Sequence, residues 1–72
     1  MGIDYKSVES SNLTDIGYDE ASKTLYVKFK GGGHYSYDNV SKETYNSLMK
    51  AGSHGQHFHK HIKPHYKHKK IA

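Results

Sequence analysis

Between residues 24 and 38 the chain writes the same pattern on both sides of three glycines. Thr24 to Lys30 alternates, with Leu25, Val27 and Phe29 on one side and Tyr26, Lys28 and Lys30 on the other. His34 to Asp38 alternates again, placing Tyr35 and Tyr37 on one face. A period of two is what a half-buried strand requires, and Gly31, Gly32 and Gly33 supply the positive φ angles of a hairpin turn. Two registers remain open. A loop of all three glycines sets Tyr35 opposite Phe29 and Tyr37 opposite Val27, which buries both rings. A loop of Gly31 and Gly32 alone sets Tyr35 against Lys28 and Tyr37 against Tyr26, which makes an exposed aromatic and basic platform. The polar residues His34, Ser36 and Asp38 between the tyrosines favour burial of the tyrosine face.

Upstream, Ile16 and Tyr18 alternate as strand neighbours, and Val8 to Tyr18 is expected as a first strand bent near Asn12. Asp19 to Lys23 forms a polar turn. Residues 1–7 carry no period and are expected as a loose lead-in. Downstream, Ser41 is placed as a helix N-cap, with Val40 before it and Tyr45 four positions into the helix, an arrangement that staples the first turn. This helix is expected over 41–51, closed by Gly52 in the left-handed region. Ser53 and Gln56 match a second cap, Phe58 and Ile62 share a face, and Pro64 ends the helix near residue 63. The expected fold is α+β: a three-stranded antiparallel meander followed by two helices, 41–51 and 53–63, packed on one face of the sheet. Residues 8–66 form the single domain, and 67–72 form a basic tail that frays.

Length sets the limits on chemistry. A chain of 72 residues buries only roughly 60% of the surface its unfolded form exposes, which leaves no room for a deep enclosed cavity. Leu, Ile, Val and Phe supply 12 residues, so the seven tyrosines must carry much of the core. No cysteine is present, which removes disulfides, thiolate zinc sites and thiol nucleophiles together. No nucleophile elbow or paired-carboxylate spacing organises the remaining Ser, His and Asp, and the three glycines lack the Lys-Ser/Thr that completes a phosphate loop. An enzyme is not expected. No apolar run approaches ~20 residues and no signal-peptide core opens the chain, so the expectation is a cytoplasmic protein without membrane contact.

Charge is unevenly placed. Residues 1–40 hold 4 Lys against 6 acids, whereas residues 41–72 hold 7 Lys against 1 acid. Six of the seven His also fall within residues 54–68. Lys60, Lys63, Lys67, Lys69 and Lys70 interleave with His57, His61, His65 and Tyr66, and also with Phe58, His59 and His68. That mixture joins phosphate-seeking charge to flat rings able to stack on unpaired bases. With no arginine in the chain, bidentate reading of guanine is absent, and low sequence specificity is expected. RNA or single-stranded nucleic acid is therefore the expected partner, and a protein docked on the sheet face or edge is the alternative. His54, His57 and His61 fall within about 60° of one another on a helix and offer three imidazoles to one metal ion. Against that, no acid lies in residues 44–72 to orient them, and the surrounding Lys repel a cation. Neither metal nor cofactor is expected.

The ordered set Ser10, Ser11, Ile16, Gly17, Tyr18, Asp19, Thr24, Leu25, Val27, Phe29, Tyr35, Ser36 and Tyr37 has a further meaning. It continues through Val40, Tyr45, Leu48, Ala51, Ser53, Gly55, Phe58, Ile62 and Tyr66, and over about residues 7 to 66 it resembles the KTSC domain. That module is named for its occurrence at the C-terminus of some lysyl-tRNA synthetases and is also found in free-standing bacterial and phage proteins. Tyr35-Ser36-Tyr37 is similar to the family's central Tyr-x-Tyr. What the resemblance implies is RNA binding, the usual suggestion from the synthetase fusion. The chain departs from the family at His57, where an aromatic residue is usual, and at His59, where Asn is usual.

Overall fold

The computed structural model describes residues 5–8, residue 10 and residues 12–71. Along the chain run β1 (Tyr5–Ser7), β2 (Leu13–Asp19), β3 (Thr24–Phe29), β4 (His34–Tyr37), α1 (Lys42–Lys50), α2 (His54–His57) continuing into a π-helical turn (Phe58–Ile62), and β5 (His68–Lys70). The strands form one antiparallel sheet in the order β1-β2-β3-β4-β5. The class is α+β with two helices, as expected, but the sheet has five strands rather than three.

Both extra strands are three residues long, too short to display a period. Part of the expected lead-in, Tyr5–Ser7, pairs with β2 through Tyr5↔Gly17 and Ser7↔Asp15; residues 1–4 of that lead-in lie outside the described residues. Tyr5 is held by its ring, edge-on to Tyr26 at 6.3 Å and to His34 at 5.6 Å, with the Lys28 ammonium 4.4 Å from its centroid. The expected fraying tail is instead β5, paired through Tyr37↔His68 and Tyr35↔Lys70 and extended by the Ile71 amide donating to the His34 carbonyl at 2.7 Å. All three of its residues are exposed, so backbone hydrogen bonds rather than a hydrophobic face specify it. Ala72 lies outside the described residues.

Of the first strand expected over Val8–Tyr18, the part from Leu13 onward is strand, as β2. The Ser10 hydroxyl accepts from the Asn12 amide at 3.2 Å and the Leu13 amide at 3.3 Å, which holds the start of β2. At the next turn Asp19 Oδ1 accepts from the Ala21 amide and Oδ2 from the Ser22 hydroxyl, while Lys23 takes φ 56°. The β3–β4 hairpin uses neither open register. Val27 pairs with Tyr35 and Leu25 with Tyr37, because the Phe29 amide donates to the Gly33 carbonyl and the loop is Lys30, Gly31 and Gly32, with Gly32 at φ 98°. The loop keeps three residues but starts one position early. Parity therefore matches the three-glycine register, and the tyrosines face the core.

That core holds Leu13, Ile16, Leu25, Val27, Tyr37, Val40, Leu48, Phe58 and Ile62, all 2% exposed or less. α1 starts where Ser41 Oγ accepts from the Thr44 amide at 3.2 Å. Its Tyr45 stacks on Tyr18 with centroids 4.8 Å apart, and the Tyr18 hydroxyl donates to the Val40 carbonyl. The helix ends differently from expectation: Ala51, extended at ψ 142°, is the C-cap, and no left-handed Gly52 is needed. In the second helix the Ser53 hydroxyl accepts from the Gln56 amide, and the Lys63 amide bonds the Phe58 carbonyl five residues back. This wide turn directs Phe58 and Ile62 together onto the sheet. Among the described residues no helix is long and apolar enough to cross a membrane.

Candidate nucleic-acid interface

Where the β3–β4 hairpin meets the second helix and β5, a groove of about 710 Å³ opens. Phe29, Tyr35 and Tyr37 form its floor, and Lys30, Lys63, His59 and His68 contribute its charge or potential charge. No acid lines it among the described residues. Each element delivers its residue for a local reason. The early hairpin turn lifts Lys30 to the rim, and Gly33 lets the backbone pass close over Tyr35, since a Cβ there would stand 3.0 Å from that ring's edge. The rings hold one another: Phe29 meets Tyr35 edge-on at 5.5 Å and Phe58 at 5.6 Å, and Tyr37 meets Phe58 at 5.1 Å. β5 places the His68 ring 5.7 Å from both Tyr35 and Tyr37. Burial pushes the Tyr37 phenol above its ordinary pKa, so it stays neutral.

A second groove of about 420 Å³ is lined by Ser53, Gln56 and Lys60 together with Asn12 and His59. Those last two line both grooves. Asn12 Nδ2 lies 3.4 Å from His59 Nε2, which makes the pair a low ridge between the two hollows. The Asn12 backbone is fixed independently of its side chain: its amide donates to Ser10 Oγ, and its carbonyl accepts from the Lys30 amide at 2.8 Å.

The residues singled out from the sequence divide between these grooves and other surfaces. Lys63 and His68 line the larger hollow and Lys60 the smaller. Lys69 and Lys70 sit in β5, where successive side chains take opposite faces, so Lys69 projects away from the groove that His68 enters. Lys67 is exposed just before β5, and its carbonyl accepts from the Asp38 amide. His65 is exposed in the turn that follows the helix. Tyr66 packs against the core, with its hydroxyl 3.4 Å from Thr44 Oγ1. His57 and His61 line neither groove; their rings stand 4.6 Å apart on the helix flank. Burial, then His61, then His54 hold the His57 pKa below its ordinary value. His54 turns aside, with Nε2 3.2 Å from the Met49 carbonyl. Among the described residues no three His, Asp or Glu side chains converge on a common ion position.

Sequence reasoning left Asn12, Phe29 and Lys30 out of the site and held Tyr35 as a binding surface only in the two-glycine register. The only signal for Phe29 and Lys30 was adjacency, since both abut the glycine turn. Asn12 carried none, as it reaches the site through a fold contact 47 residues away in sequence.

Residues 9–66 match the KTSC domain. A protein from Tsukamurella paurometabola is 37% identical over 60 residues, a match that spans 83% of this chain and 90% of that protein. The lysine-tRNA ligase of Nostoc punctiforme is 33% identical over 64 residues, covering 89% of this chain and 11% of the ligase. The ligase of Trichormus variabilis matches at the same identity and coverage. The chain thus spans about a ninth of the length of these ligases. Among solved structures, a KTSC domain protein from Yersinia pestis superposes with a TM-score of 0.94 at 31% identity, over 99% of this chain and 100% of that one.

Proposed function

The chain belongs to the KTSC domain family, and on that premise we propose that it is a non-catalytic, cytoplasmic binding module for RNA or single-stranded nucleic acid. One observation carries the reading: the larger groove joins an aromatic floor of Phe29, Tyr35 and Tyr37 to Lys30, Lys63, His59 and His68, with no acid among its described lining residues. Ammonium groups neutralise phosphates and release their counterions, while the partly exposed rings of Phe29 and Tyr35 offer stacking surfaces that accept any base. Lysine contacts are blind to sequence, so phosphate and stacking supply most of the affinity. The ligand site moves toward the hairpin relative to the sequence reading, with Lys60 and Lys63 retained and Lys30 added. That relatives include lysine-tRNA ligases adds support, since those proteins handle an RNA substrate by their name.

Titration of the protein into a fluorescently labelled single-stranded RNA at about 50 mM salt tests the reading. Anisotropy should rise, and the rise should fall away with salt. A protein-docking module gives no such rise. Its surface would be the opposite sheet face, where Tyr5, Tyr26 and His34 cluster and the Tyr5 hydroxyl lies 2.7 Å from His34 Nε2.

A further inference from the structure

We propose that His57 and His61 form a two-imidazole site for a divalent transition-metal ion, and that the ion fastens the turn that carries Phe58 and Ile62 into the core. The site lies apart from both grooves and does not rest on the nucleic-acid reading.

Geometry carries the proposal. His57 closes α2 and His61 lies in the π-helical turn that follows, so the two share one flank of the helix. Their ring centres stand 4.6 Å apart with the planes 41° from parallel. An imidazole nitrogen binds zinc at about 2.0 to 2.1 Å, which puts each ring centre about 3.2 Å from the ion; angles of about 90 to 110° at the ion then hold two ring centres about 4.5 to 5.2 Å apart. The observed separation falls inside that range. His57 is half-buried and so fixed in place, whereas His61 is exposed and leaves the ion a way in.

The surroundings decide how many ligands the chain supplies. His54, a third imidazole on the same stretch of sequence, is turned to the Met49 carbonyl, with Nε2 3.2 Å from that oxygen. Among the described residues no third His, Asp or Glu joins the pair, so water completes the coordination. Lys60 and Lys63 line the grooves, which His57 and His61 do not, so the charges that sequence places beside the histidines are directed elsewhere. Burial, then His61, then His54 keep the His57 ring unprotonated near neutral pH, the form that ligates.

Chemistry names the ion. Imidazole suits nickel, copper and zinc, whereas magnesium and calcium take oxygen ligands. Each histidine also directly precedes a fully buried residue, His57 before Phe58 and His61 before Ile62. A chelate across the pair therefore closes over the same turn that inserts both side chains into the core. The unfolded chain does not hold the two rings together, so the bound ion favours the folded state.

The test titrates Zn²⁺ and Mg²⁺ into the full chain at pH 7.5 by calorimetry. Zn²⁺ should fill one site per chain at about 100 µM or below, and Mg²⁺ should not bind. His57→Gln and His61→Gln should each weaken Zn²⁺ uptake about 10-fold or more, because either leaves a single imidazole, while His54→Gln and His65→Gln should change it by less than about 2-fold. His61 is exposed, so its replacement leaves the fold intact, which far-UV circular dichroism checks. At saturating Zn²⁺ the wild-type Tm should rise by about 4 °C or more, and the rise should vanish in His61→Gln. Uptake that survives His61→Gln, an equal loss in His54→Gln, Zn²⁺ bound no more tightly than Mg²⁺, or a bound ion that leaves Tm unchanged would each overturn the proposal. Every one of these results leaves the nucleic-acid reading standing.

Discussion

Gly55 touches Ser10: a Cβ built on the glycine would stand 2.7 Å from the serine hydroxyl oxygen. That oxygen already accepts from the Asn12 and Leu13 amides. The bare backbone at 55 is what lets the second helix come close enough for His59 to reach Asn12. The ridge between the two grooves thus depends on a residue with no side chain.

Gly55→Ala should destabilise the protein by about 1 kcal/mol or more in urea unfolding. Helix propensity gains about 1 kcal/mol, but overpacking costs about 1 to 3 kcal/mol, and displacing Ser10 weakens two hydrogen bonds of about 1 kcal/mol each. Gly52→Ala is the control. A Cβ there meets nothing within 4 Å and the backbone is not left-handed, so it should be neutral or stabilising by up to about 1 kcal/mol. Equal effects at the two positions would show that the close approach is not needed.

Phe58→Ala and Phe29→Ala should separate stability from binding. Phe58 is fully buried between the helix and the sheet, and its loss should cost about 3 to 5 kcal/mol, enough to unfold a domain this small. Phe29 is half-buried and lines the groove, so its truncation should cost roughly half as much. The folded Phe29→Ala protein should bind RNA about 10-fold more weakly, through lost stacking worth about 1 to 3 kcal/mol. The readouts are thermal melting followed by anisotropy on the surviving fold.

If Lys30, Lys60 and Lys63 are the phosphate contacts, log affinity should fall with log salt at a slope near −2, about −0.7 for each contact to a single strand. Replacing any one of the three by Gln should flatten the slope by about 0.7. Lys69→Gln should leave it unchanged, because Lys69 faces away from the groove. A slope equally sensitive to Lys69 would place the strand elsewhere.

Acidification should weaken the fold through His57. Its folded pKa lies below the ordinary value, chiefly through burial and then through His61 and His54, so near neutral pH the folded ring stays unprotonated. The unfolded chain binds the proton more readily. Stability from this group is therefore complete above about pH 6.5 and is lost as pH falls through the folded pKa. Thermal melts at pH 7.5 and 5.5 should show a drop in Tm that shrinks in His57→Gln. An identical drop in the variant would assign the effect to other histidines.

What the sequence made legible was whatever repeated. The period of two in β3 and β4 and the caps at Ser41 and Ser53 placed the hairpin and both helix starts, because each rests on neighbours within a few residues. β1 and β5 were illegible. Their three residues bury no face, and β5 is held by pairing to a strand more than thirty positions away. The candidate site divided along the same line. Lys60 and Lys63 stood out by charge density, whereas Asn12 and Lys30 enter through turns and pairings that no local pattern announces. Tyr66, an aromatic ring amid lysines, packs partly buried against the core and lines neither groove.

The late pairing of β5 orders events in time. β1 to β4 close through short connections, but joining Tyr35 to Lys70 encloses both helices within a single long loop, whose closure entropy must be met before any of its contacts form. The meander and helices can assemble first, and β5 docks onto an existing edge. His68, one wall of the larger groove, arrives with it. The larger groove is therefore complete only once β5 has paired with β4.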